Sequence, residues 1–219
     1  MIISSISSMK YNEDFNFYSY GYKTRTRIDK CAQMCIHTTA NVIKDSNNNP
    51  EKIGLITVTK FGCTDSRDSY LKQLNSLSDK RFASPKDFVQ SINNIPNSMA
   101  TIENNIMGFT NNFIGDSEST LIALWQAVYV IKNDIADKMI VTAFDNDICA
   151  SLKIEKQTDL KKGLKIVEFD LQKKFSLKVN IINSLNCKSL IKIDVKKNSL
   201  APDLILKLES LLKRRAYDE

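Results

Sequence analysis

Gly115-Asp116-Ser117-Glu118-Ser119 is the segment of this chain whose residue types and spacing best suit chemistry. Its G-x-S-x-S form approaches the nucleophile elbow of hydrolases, where a serine stands on a tight strand-to-helix turn and helix amides hold an oxyanion. The last glycine of that pattern is absent, and a serine nucleophile also needs a base. The chain has one histidine, His37. It falls with Lys30, Gln33, Asn41 and Lys44 on the polar side of a helical pattern, where a solvated imidazole is expected. The competing reading of the same segment is a helix start, with Asp116 or Ser117 as N-cap and Glu118 in the first turn.

The other chemistry-bearing residues are five cysteines, Cys31, Cys35, Cys63, Cys149 and Cys187. Odd in number and scattered, they write neither a disulfide framework nor a paired zinc motif, and they read as reduced thiols. Cys31 and Cys35, one helical turn apart, lie on an apolar face and read as small core residues. Nothing in the pattern completes a four-ligand set around that pair, so no metal and no cofactor is expected. Cys63 follows Gly62 at the carboxyl end of a strand, where sites of parallel sheets gather, which leaves both a reactive thiol and simple packing open. Lys23, Arg25, Arg27 and Lys30 form a basic cluster suited to phosphate or an acidic protein, or to a solvated face.

These residues must be carried by elements. With 219 residues and 42% hydrophobic side chains, the chain can bury a core as one domain or two joined halves. The formal charge of +6 is too small for a dedicated nucleic-acid footprint. The amino terminus lacks a basic, then apolar, leader pattern, and no run reaches the ~18 apolar residues of a membrane span, so a cytoplasmic protein is expected.

A strand is expected from Met1 to Ile6, then a loop from Tyr11 to Tyr22, then a helix from Ile28 that stops before Pro50. Ile53-Gly-Leu-Ile-Thr-Val-Thr59 reads as a buried strand, and Thr64 or Asp65 caps a helix running toward Leu77. Ser84-Pro85 starts one short helix and Pro96-Asn97 another. Phe109 to Ile114 is a strand of low β-propensity. It leads into a helix from Ser117 to Asn133, and Met139 to Phe144 is a further buried strand. This βαβαβαβ order predicts an α/β fold with a parallel sheet and helices on both faces. After Asp147, Leu164 to Leu171, Leu177 to Ile182 and Leu190 to Val195 read as strands that extend the sheet antiparallel, followed by a helix after Pro202. Residues 1–150 thus form a core that 151–219 completes. Between Leu121 and Ile131 the apolar side chains surround the helix, which predicts cover on both sides.

The order of pieces resembles the N-terminal half of β-ketoacyl synthases, the condensing enzymes of the thiolase fold. Arg27-Ile-Asp-Lys-Cys-Ala-Gln33 is similar to the start of their first helix, and Lys52 to Gly62 to their second strand and glycine turn. Ile95-Pro-Asn-Ser-Met-Ala100 resembles their P-N-x-x-A segment, and Ala136-Asp-Lys-Met-Ile140 the approach to their fourth strand. The resemblance spans residues 1 to 150. Thr101 stands where the family pattern has glycine, and the turn before Gly108 is shortened.

The resemblance implies a thiolase-like N-terminal half and places the family's cysteine nucleophile at Ser117. It also implies that the two catalytic histidines and the lysine belong to a C-terminal half that this sequence does not reach. Asp116-Ser-Glu-Ser-Thr-Leu121 is similar to the S-F-E-S-A-L style segment of short synthase-like proteins from aryl-polyene and related polyketide or fatty-acid pathways of bacteria. The expected function is therefore a non-condensing auxiliary subunit of the chain-length-factor kind. Its expected partners are a full-length synthase or a second copy, joined along the Phe109 to Ile114 strand, and an acyl carrier protein meeting Lys23, Arg25 and Arg27. The alternatives are a serine acyl hydrolase or transferase using Ser117, and an interaction module without an acyl ligand. The final helix, through Leu204, Leu208 and Leu211, is the alternative cover for the apolar helix.

Overall fold

The structure, a computed structural model, describes all residues except 13–14, 24–27, 45–48, 77–82, 157–162, 173–174, 184–185 and 215–219. Eight strands form a single sheet: β1 (Ile2–Lys10), β2 (Ile53–Thr59), β3 (Thr110–Ile114), β4 (Lys138–Asp145), β5 (Ile148–Glu155), β6 (Gly163–Asp170), β7 (Ser176–Asn183) and β8 (Asn186–Asp194). Their order across the sheet is β3-β2-β4-β5-β1-β6-β7-β8. The helices are α1 (Lys30–Ile43), α2 (Thr64–Ser76), α3 (Pro85–Gln90), α4 (Ile95–Glu103), α5 (Ser117–Lys132) and α6 (Asp203–Arg214).

Strands β3, β2 and β4 are parallel, as the alternation predicts. The sheet is mixed, as expected, but its antiparallel part begins earlier than the Leu164 strand. β5 runs antiparallel to β4 and to β1 and so separates these two. The reason is local: Asn146-Asp147 makes a two-residue turn, with Asn146 at φ 50, that folds Ile148–Glu155 back on β4 as a hairpin. Strands β6, β7 and β8 extend the sheet as an antiparallel meander.

Alternate residues of the buried strands face two cores. On one face Ile56, Val58, Met139, Val141 and Ala143 pack with Leu121, Leu124 and Val128 of α5 and Leu204, Ile205 and Leu208 of α6. On the other, Leu55, Ile140 and Phe144 pack with Ala32, Met34 and Ile36 of α1 and Ala100 of α4. A hydroxyl network ties α1 to the sheet on this face. Thr39 meets Thr142 at 3.1 Å, Thr142 meets Ser151 at 2.7 Å, and Ser151 donates to Thr38 at 2.8 Å.

The asparagines that weaken β3 as a strand have partners. Thr57 Oγ1 donates to Asn112 Oδ1 at 2.7 Å, and Asn111 Nδ2 donates to Gln126 of α5 at 3.0 Å. Asn97, from the P-N-x-x-A segment, is buried and donates to both Thr57 Oγ1 and the Asn111 carbonyl, which fixes α4 against β2 and β3.

Cover of α5 is split. Leu204 and Leu208 of α6 are buried against it, as the alternative reading of the final helix has it. Trp125 and Tyr129, however, stack at 5.8 Å on the outer face and are 44% and 53% exposed, so the helix is not enclosed all round. Among the described residues no helix is long and apolar enough to cross a membrane.

Candidate functional site

The turn Gly115-Asp116 between β3 and α5 puts Ser117 in the first turn of a helix whose amino end points to the carboxyl ends of β2 and β4. Asp116, and not Ser117, caps it: Asp116 Oδ1 accepts from the Glu118 amide at 2.9 Å. Ser117 is 2% exposed, and its hydroxyl donates to the Leu200 carbonyl at 2.5 Å.

That contact belongs to a wider clamp. Asp116 Oδ2 accepts from the Asn198 amide at 2.9 Å, and Thr120 Oγ1 donates to the Ala201 carbonyl at 2.7 Å. Asp145, at the end of β4 and fully buried, accepts from the Ala201 amide at 2.7 Å through one oxygen. Its other oxygen accepts from Thr59 Oγ1 at 3.0 Å and from the amides of Lys60 and Phe61 at 2.8 and 3.0 Å. Lys60 Nζ donates to the Asn198 carbonyl at 3.0 Å. Burial pushes the Asp145 carboxyl above the usual carboxylate range, and its four donors oppose that rise. The polar side chains of the β3–α5 turn thus hold the backbone of residues 198–201.

The space left beside Ser117 is a cavity of about 30 Å³ lined also by Val195, Lys196, Ser199, Asp203, Leu204 and Lys207. This is room for about one water. No acyl chain fits there.

His37 is not the solvated residue the helical pattern suggests. It is half-buried on α1, on the opposite face of the sheet from α5, within a cluster formed by Phe15, Tyr20 and Tyr22. Tyr22 Oη lies 3.1 Å from His37 Nδ1. Burial pushes the Tyr22 phenol up to about 12. Burial, followed by the nearby Lys44, lowers the His37 pKa. The histidine cannot serve Ser117 as a base from there.

The basic cluster divides. Arg25 and Arg27 lie outside the described residues. Lys23 donates its backbone amide to Glu103 Oε2 at 2.7 Å, and Lys30 is bridged by Asp65 at 2.9 Å and Asp147 at 2.7 Å. Cys31, Cys35, Cys63 and Cys149 are all free and buried.

No protein-family model matches this sequence, and no curated protein matches it. Solved structures do. The ishigamide ketosynthase/chain length factor matches with a TM-score of 0.64 and 11% identity over 81% of this chain and 65% of that one. The ketosynthase ApeO in complex with its chain length factor ApeC, from Xenorhabdus doucetiae, matches with a TM-score of 0.51 and 14% identity over 66% of this chain and 65% of that one. AntDE:AntF, a type II PKS acyl-carrier protein in complex with its ketosynthase bound to the hexaketide, matches with a TM-score of 0.56 and 14% identity over 66% of this chain and 52% of that one. The chain therefore has the thiolase-like fold of ketosynthases and chain length factors, and it spans 65% of the length of the first structure.

Proposed function

We propose that this chain is a non-condensing subunit of the chain-length-factor kind. It works beside a complete ketosynthase in bacterial polyketide biosynthesis of the aryl-polyene type or in fatty-acid biosynthesis. The observation that carries this reading is the state of Ser117, whose hydroxyl is donated to the Leu200 carbonyl under a cavity of about 30 Å³. Condensation needs a nucleophile that an acyl group can reach and an imidazole to promote it; the one histidine is engaged with Tyr22 on the other face of the sheet.

The partner reading rests on the sheet edge. β3 is the outermost strand beside β2, and Ile114 at its end is 64% exposed, which suits pairing with a synthase or with a second copy. Two of the similar structures are ketosynthases with chain length factors, and the third holds an acyl-carrier protein. For an acidic carrier protein here, Lys23 with Arg25 and Arg27 is the proposed contact.

The test is incubation of the purified chain with acyl and malonyl carrier proteins, alone and with a complete ketosynthase, followed by mass spectrometry of the carrier-bound products. Alone, the chain is expected to leave malonyl carrier protein intact and to escape fluorophosphonate labelling. With the synthase it is expected to co-purify and to alter the product chain. Turnover by the chain alone that vanishes in Ser117→Ala would refute the reading, as would labelling of Ser117. Sedimentation over a concentration series reads the association, since a mass that stays at 24.9 kDa with synthase present would exclude the partnership.

A further inference from the structure

The fold brings Cys63 to two ligand groups at the start of α1. Asp29 precedes α1, Cys31 lies in its first turn, and Cys63 follows β2. The Sγ atoms of Cys31 and Cys63 and a carboxylate oxygen of Asp29 all lie within 4.8 Å of one another, and all three residues are buried. Cys35, one helical turn on, is not part of this group. Cys35 meets Cys149, with sulfurs 3.8 Å apart, and Thr38 is their neighbour.

We propose that Asp29, Cys31 and Cys63 form a binding site for a thiophilic divalent metal, Zn²⁺, with one coordination position left open. An equilateral triangle of 4.8 Å edge has its centre about 2.8 Å from each corner, against about 2.3 Å for a Zn–S bond and 2.0–2.2 Å for Zn–O. With 4.8 Å as the upper limit of the separations, shifts of at most about 0.5 Å for each sulfur and about 0.7 Å for the oxygen bring all three donors to bonding distance. Two thiolates and a carboxylate are a donor set that favours zinc over magnesium or calcium.

The carboxylate is held for this task by its surroundings. One Asp29 oxygen accepts from the Cys31 amide at 2.8 Å, and the other from Ser66 N and Oγ at 3.2 and 2.6 Å. Oδ1, which accepts only the Cys31 N–H, keeps a lone pair for a metal, while the two Ser66 donors fill Oδ2 and orient the carboxylate. The Cys31 thiol is near the carbonyls of Asn146 at 3.6 Å and Gly62 at 3.9 Å. Its contact with Cys63 and its burial push the Cys31 pKa up.

Asp29 also lines a polar groove of about 710 Å³, shared with Lys30, Asp65, Ser66, Asp87 and Asp147. Its carboxylates outnumber Lys30 and Lys86, which favours cation approach to Asp29. Binding is a proton exchange: each thiol loses its S–H proton to solvent and forms one Zn–S bond, so two protons leave per metal, while the carboxylate adds one Zn–O bond.

The experiment uses the full chain kept reduced with a phosphine. Desalting after zinc loading is expected to leave one zinc per chain. Co²⁺ is expected to give thiolate-to-cobalt charge-transfer absorption in the near ultraviolet, with release of two protons. Cys63→Ser is expected to abolish that absorption and weaken binding more than about 100-fold, and Asp29→Asn about 10-fold. Cys35→Ser and Cys149→Ser are expected to keep it. Circular dichroism checks the fold of each variant; if Cys63→Ser does not fold, Asp29→Asn and the proton count of the unaltered chain decide. The proposal falls if no charge-transfer absorption appears, or if Cys63→Ser retains it. It also falls if the chain forms a Cys31–Cys63 disulfide once the phosphine is removed and never retains zinc before that. None of these readouts depends on the proposed partnership with a ketosynthase.

Discussion

Asp145→Ala tests whether the clamp at the β3–α5 turn holds the fold together. The carboxylate accepts from the amides of Lys60, Phe61 and Ala201 and from Thr59 Oγ1, and the alanine variant leaves all four donors without it. Their losses differ. The Thr59 hydroxyl can rotate, and it still accepts from the Gly62 amide at 2.8 Å. Lys60 and Phe61 lie at a part-exposed turn where water replaces the acceptor, whereas Ala201 is buried. A buried donor left unmatched costs about 1–3 kcal/mol, and hydrated donors less. Removing a carboxyl whose pKa is raised by burial returns part of that cost. The net expectation is about 3 kcal/mol. At a urea m-value of about 2–3 kcal/mol/M, the unfolding midpoint falls by about 1–1.5 M. Asp145→Asn keeps an oxygen for the β2 turn but can set its NH₂ group against the Ala201 amide. Its expected signature is local: hydrogen exchange quickens in residues 198–206 with a smaller shift of the midpoint. An alanine variant whose midpoint moves by less than about 0.3 M, with the Ala201 amide still protected, would refute the reasoning.

Ser117→Cys restores the residue type of the family nucleophile, yet it is expected to show no condensation with acyl and malonyl carrier proteins, because the cavity and the absent imidazole are unchanged. Ser117→Ala is expected to lower stability by about 1 kcal/mol by chemical denaturation, the worth of one hydrogen bond. Because burial lowers the His37 pKa, the unfolded chain takes up the proton first; stability present above about 6.5 is lost as pH falls toward the folded value. Melting temperatures at pH 7.5 and 5.5 read this, and His37→Gln should flatten the difference. A Cβ at Gly54 would lie 2.5 Å from the Phe109 carbonyl oxygen, so Gly54→Ala is expected to cost about 1–3 kcal/mol and to loosen β3, read by urea unfolding and exchange at residues 110–114.

Elements with one strong local signal were legible in advance. β2 declares itself by six apolar or β-branched positions beside glycine, and it spans Ile53–Thr59 as expected. Ser84 caps α3 by accepting from the Asp87 amide at 3.3 Å, the role its place before Pro85 implies. β5 was hidden because Lys153 and Glu155 interrupt its apolar run, although both are buried in the sheet. Its one sequence signal is the Asn146-Asp147 pair between two β-prone runs, and reading that turn would have placed β5 against β4. The clamp had no such signal. Ser117 and Thr120 bind backbone carbonyls more than eighty residues away, and a carbonyl acceptor leaves no mark on side-chain identity. Cys31 and Cys35 are buried core residues, as their helical spacing implies, but spacing along one helix carries no sign that Cys63, on the turn after β2, meets Cys31.

The same local geometry serves opposite ends depending on what faces it. A hydroxyl at the start of a helix, on a turn at the carboxyl ends of parallel strands, becomes a nucleophile when a base accepts its proton and a substrate can approach its lone pairs. Here the proton is directed to the Leu200 carbonyl, and Asn198–Ala201 fill the approach. Donor and acceptor are both neutral, so the bond stabilises the ground state without activating oxygen. At the helix amino end Asp116 occupies the Glu118 amide with one oxygen, and with the other it holds the Asn198 amide that helps close the approach. Freeing Ser117 would require residues 198–201 to leave, and that exposes Leu204 and Leu208, whose burial joins α6 to α5. Closure of the site and stability of the sheet are therefore one property of this chain, and a variant that opened the cavity would lose part of the core with it.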